Sequence, residues 1–124
     1  MIKTMSKSLA VLALMLVSSL ALAHTGLKES TPADGTTVKM PPAAIDLVFT
    51  ADVRLIKFEL SSNEQVLETG FKPVADTMTR FSVATPSLTA GSYTVNWAVI
   101  GADGHTVTNS FSFSVDPAAV AASQ

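Results

Sequence analysis

The chain has no cysteine, so disulfides and thiolate metal sites are both excluded, and a small exported domain made from it must be held together by its core alone. Histidine is nearly as scarce, with His24 and His105 the only two in 124 residues. A metal site would have to draw on those imidazoles, on carboxylates, on thioethers or on backbone nitrogen. Aromatic residues are few, one Trp, one Tyr and six Phe, which leaves little to form a flat sugar-binding face once a core is filled. Positive charge is also wanting. The net charge is −2, and because Lys3 and Lys7 precede all ten acidic residues, the chain beyond its first segment is more acidic still. That balance argues against nucleic acid as a partner.

The first segment has the layout of a secretory signal. Lys3 and Lys7 supply the positive region, Leu9 to Leu22 an apolar run, and Ala21-Leu22-Ala23 the small-x-small site that signal peptidase reads. The apolar run is shorter than the ~20 residues a membrane-spanning helix needs. Cleavage after Ala23 would remove residues 1–23 and leave His24 first on an exported chain of about one hundred residues, enough for a single core.

Beyond the signal, no long stretch places apolar residues at helical spacing, whereas short alternating runs recur between turn signals, as in all-β domains. Runs are expected at Thr25 to Glu29, Ala44 to Thr50, Arg54 to Leu60, Gln65 to Glu68, Thr79 to Val83, Tyr93 to Ile100 and Thr106 to Val115. In the second of the central runs Ile56, Phe58 and Leu60 alternate against Leu55, Lys57 and Glu59. Tyr93, Val95, Trp97 and Val99 share one face of the clearest run, and Trp97 is expected in the core. Pro32-Ala33-Asp34-Gly35 and Leu88-Thr89-Ala90-Gly91 read as turns. About seven strands at this spacing predict a small Greek-key β-sandwich, immunoglobulin- or cupredoxin-like, over residues 24–116. The alanine-rich tail, residues 117–124, reads as flexible.

The chemistry lies in where the two histidines fall. A free N-terminal histidine is a chelator, because its α-amine and its imidazole Nδ1 can close one ring on a metal ion, and an α-amine titrating near ~8 yields its proton to a strongly bound cation. Asp103-Gly104-His105, in the loop between the two strongest strands, is the second piece. Residues i and i+2 of an extended chain project to one side, so Asp103 and His105 can present a carboxylate oxygen and an imidazole nitrogen together. His24, Asp103 and His105 thus offer three nitrogens and one oxygen, a set suited to one tetragonal Cu(II) ion, with nickel second and zinc, which favours a tetrahedron, behind.

These features sit within a wider resemblance. The start His24-Thr25-Gly26-Leu27, the segment Ser30 to Gly35, the strand Ile45 to Thr50 and the block Leu88 to Trp97, continuing through Gly101-Ala102-Asp103-Gly104-His105 to Phe111-Ser112-Phe113, resemble the CopC-type family of periplasmic copper-binding proteins in order and along nearly the whole length. The resemblance implies a Greek-key sandwich and a Cu(II) site of the His24 amine and imidazole with Asp103 and His105. It also implies a non-enzymatic periplasmic carrier or buffer in copper homeostasis or resistance, often beside an inner-membrane copper transport protein. The chain departs from some family members in two ways. It lacks a methionine-rich Cu(I) loop, since beyond the signal only Met40 and Met78 occur, Met40 being expected to pack at a strand edge and Met78 in a loop or the core. Where some members carry an added Glu ligand after the early Phe-Ser, this chain has Ala51-Asp52. Two other readings compete: a copper oxidase of the lytic polysaccharide monooxygenase kind, for which Asp103 would block the position oxygen needs, and an immunoglobulin-like structural module without metal.

Overall fold

The computed structural model describes residues 26–119. The expected signal, His24 and the tail from residue 120 onward therefore lie outside the described residues. Within them there are seven strands and no helix: β1 (Leu27–Thr31), β2 (Thr36–Val38), β3 (Ala44–Ser62), β4 (Gln65–Leu67), β5 (Met78–Ala84), β6 (Gly91–Ile100) and β7 (Thr106–Val115). The chain forms the expected β-sandwich, in which β3 is the common member of both layers. The first half of β3 pairs antiparallel with β1 and β5, and its second half pairs antiparallel with β4 and β6. From β6 the second layer continues to β7 and then to β2, which runs parallel to β7.

The alternation of β3 explains how it serves two layers. Ile45, Leu47, Phe49, Val53 and Leu55 point inward, and then the phase changes so that Phe58 and Leu60 do. The change falls where Leu55 opposes Val99 but Lys57 opposes the very next partner residue, Ala98. One residue is in excess there, so Ile56 occupies a bulge, and a bulge exchanges the faces of everything that follows it. This corrects two expectations: residues 44–50 and 54–60 are one strand, and the inward residue of the pair is Leu55, fully buried, with Ile56 half-buried.

β6 and β7 follow simple alternation and match the sequence reading. Tyr93, Val95, Trp97 and Val99 from one strand meet Phe111, Phe113 and Val115 from the other in the sandwich interior. Phe49 packs edge-on against both Phe81 and Trp97, with ring centroids 5.9 and 5.2 Å apart, the arrangement aromatic quadrupoles favour. No charged side chain is buried among the described residues. The Trp97 indole Nε1 is buried without a hydrogen-bond partner.

β2 was not expected, because three residues carry too little pattern to read. Its entry is tied by Asp34, whose carboxylate accepts from the Ser112 backbone N–H at 3.0 Å, while the Gly35 N–H donates to Ser112 O at 2.7 Å. Gly35 sits at φ +80°, a region that glycine enters without steric cost. Met40, just beyond β2, is 77% exposed and does not pack at a strand edge. Met78 lies neither in a loop nor in the core, since it opens β5 opposite Val53 with 41% of its surface exposed. In the tail, Asp116 caps a short turn by accepting from the Ala118 and Ala119 N–H groups.

Candidate metal centre

Strands β6 and β7 close with Ile100 opposite Thr106, and the five residues between them form a tight loop. The Gly104 N–H donates to Gly101 O at 3.0 Å and the Gly101 N–H to His105 O at 3.0 Å. Gly104 holds φ +83°, and a side chain there would be strained whatever the surrounding space. Asp103 precedes it and bends back, so that its Oδ1 accepts from the His105 backbone N–H at 3.0 Å, the local bond that suits Asp to turns.

The same carboxylate takes the imidazole. His105 Nδ1 lies 3.0 Å from Asp103 Oδ2. Asp103 and His105 thus come together as the spacing implies, but by a tight turn rather than by extended chain. Both side chains are largely exposed, at 68% and 83%. The hydrogen bond to His105 holds the Asp103 carboxyl below its usual range, and the same bond raises the His105 imidazole above its own. Each group favours the charged form of the other, in a setting where water screens much of the effect.

The loop shares one end of the sandwich with the start of the described chain. Gly26 is fastened to β3 by two bonds with Thr50, its N–H donating to Oγ1 at 3.1 Å and its carbonyl accepting from the Thr50 N–H at 3.0 Å. Four residues further along β3, Arg54 pairs with Ile100, the last residue before the loop. Gly26 also lines one open depression of about 560 Å³ with Val107, Trp97 and Phe111, and Val107 is two residues past His105. Thr50 therefore anchors the N-terminal chain at this end. Nothing in the sequence marks it for that task, since an outward Thr on a strand is ordinary.

Among the described residues no group of three or more His, Asp or Glu side chains converges, so Asp103 and His105 stand as a pair that needs further donors to make a metal site. His24, the expected third residue, lies outside the described residues. Asp52 is exposed on β3, and nothing in the structure links it to the pair. Met40 lies just past β2 and Met78 opens β5, so the described residues offer no cluster of thioethers of the kind a Cu(I) site needs.

With this geometry in view, comparison with known proteins is informative. The family model of the CopC domain matches residues 27–116. Copper resistance protein C of Pseudomonas syringae pv. tomato is 32% identical over 111 residues, covering 82% of this chain and 87% of that protein. Protein YobA of Escherichia coli (strain K12) is 30% identical over 128 residues, covering 91% of this chain and 95% of its own length. Among solved structures, CopC from Methylosinus trichosporium OB3b superposes with a TM-score of 0.66 at 28% identity, covering 78% of this chain and 98% of that one. PcoC, a methionine-rich copper resistance protein from Escherichia coli, gives a TM-score of 0.64 at 25% identity over 76% of this chain and 100% of its own. The chain belongs to the CopC family.

Proposed function

We propose that this protein binds one Cu(II) ion per chain in the periplasm and carries or buffers it without turnover, by way of His24, Asp103 and His105. The observation that supports this reading most directly is the Asp103–His105 pair on a loop at the end of the sandwich where Gly26 is fastened. Two residues of chain span at most ~7 Å, so connectivity ties His24 to that end. A cleaved chain would bring an amine and an imidazole to a pair that has too few donors alone. Nitrogen and carboxylate donors without thiolate or clustered thioether suit Cu(II) over Cu(I). The partner that fits a carrier of this kind is an inner-membrane copper transport protein.

Titration of the protein beginning at His24 with Cu(II), followed by electron paramagnetic resonance, tests the proposal. One stoichiometric tetragonal signal with nitrogen couplings is expected, and it should be lost in His105→Ala. A wild-type protein without a specific signal would overturn it.

Acid is expected to release the metal. Protons and Cu(II) compete for the same nitrogen lone pairs, and because Asp103 raises the His105 pKa, competition begins at a higher pH than for an isolated imidazole, whose value is ~6.5. Affinity should rise with pH through that range and fall below it. The metal-free fold has the opposite sign, since a raised imidazole pKa stabilises below its unfolded value and the effect is lost as pH rises through the folded one. That contribution is small for so exposed a pair. Equilibrium competition with a pH-independent optical probe would check the slope; flat affinity across the imidazole range would exclude His105 as a ligand.

A further inference from the structure

We infer that Asp103 sets the tautomer of His105 in the metal-free protein, so that Nε2 is the nitrogen offered to an incoming ion. The inference rests on the reading of His105 as a ligand and adds a positioning role for Asp103 that precedes any bond the carboxylate itself makes to copper. An ionised carboxylate only accepts hydrogen bonds. The 3.0 Å approach of Asp103 Oδ2 to His105 Nδ1 therefore requires the proton on Nδ1, and in the neutral ring the lone pair is then on Nε2, the atom turned away from the carboxylate.

Asp103 is held for this task by its second oxygen. With Oδ1 accepting from the His105 backbone N–H and Gly104 at φ +83° closing the turn, the carboxylate faces the ring without help from any distant residue. Metal-binding histidines commonly donate their other ring N–H to a carboxylate, which fixes ring orientation and increases donor strength. Here that partner is two residues away in the same turn. The loop is thus a self-contained unit that prepares one donor atom.

Replacing one atom reverses the arrangement. In Asp103→Asn the amide oxygen can still accept from the His105 N–H and keep the turn, while an NH2 donor replaces Oδ2 beside the ring. Nδ1 must then accept, and the proton moves to Nε2, the atom copper needs. Nitrogen-15 NMR of the metal-free protein at alkaline pH, where the ring is neutral, reads the tautomer directly. The wild type should show the Nδ1–H form, Asp103→Asn the Nε2–H form, and Asp103→Ala no enforced preference for Nδ1–H. Cu(II) affinity in Asp103→Asn should also fall, by about 10-fold or more, through loss of the carboxylate donor together with the tautomer change, so it is the tautomer measurement that decides the role of Asp103. A wild-type ring in the Nε2–H form would overturn the inference and leave the copper site standing. A wild type that binds no Cu(II) would overturn the copper site while the tautomer measurement still decides the role of Asp103.

Discussion

Adding one alanine ahead of His24 in the processed protein is expected to weaken Cu(II) binding about 100-fold or more, equivalent to ~2.8 kcal/mol. The added residue turns the His24 amine into an amide. An α-amine with a pKa near ~8 gives up its proton readily at neutral pH, whereas an amide nitrogen holds its proton far more firmly. Both imidazoles survive the insertion, so residual binding should remain and the number of coupled nitrogens in the paramagnetic resonance spectrum should fall. His24→Ala, which keeps the amine and removes the ring, provides the complementary loss. Isothermal titration of the two variants beside the wild type separates the donors, and an extended protein that binds as tightly as the processed one would remove the amine from the site.

The second large effect is on the fold. Phe49→Ala is expected to cost about 3–5 kcal/mol, the range for emptying an aromatic position in a packed core, against a total stability of ~5–15 kcal/mol for a domain of this kind. Phe49 is 2% exposed and meets Phe81 and Trp97 edge-on from opposite layers, so its loss opens a space that neither sheet can close alone. It also lies opposite Leu27 in the β1–β3 ladder, one residue before Thr50. Urea unfolding followed by far-ultraviolet circular dichroism measures the change. Val66→Ala serves as the contrast: at 62% exposure it should change stability by no more than about 0.5 kcal/mol. Equal effects in the two variants would show that Phe49 is not a core residue.

The parts of the fold legible in the sequence are those where alternation runs unbroken. β7 occupies the expected residues Thr106–Val115, and the inward faces of β5, β6 and β7 are as read. β3 defeated the same reasoning because Leu55 and Ile56 are both apolar, and a bulge between two apolar neighbours leaves no mark in the pattern. β2 depends on a parallel pairing with a strand nearly eighty residues away, which local periodicity does not record. In the candidate site, the pairing of Asp103 with His105 was visible as a two-residue spacing around glycine. The division of the carboxylate between the backbone N–H and the ring was not, because it follows from the left-handed turn at Gly104. Nor was the unpartnered indole of Trp97, since a sequence shows which residues face inward but not whether their polar atoms meet a partner.

Most sandwiches join their two sheets through side chains and connecting loops. Here the nineteen-residue β3 is itself part of both, so melting either layer removes a strand that the other is paired to. The expected consequence is cooperativity, with the domain coming apart as one unit. The loop carrying Asp103 and His105 follows β6, which pairs with the second half of β3, while Gly26 is fastened to Thr50 ahead of that half. A half-folded intermediate that keeps the Asp103–His105 loop while losing the attachment of Gly26 is accordingly not expected.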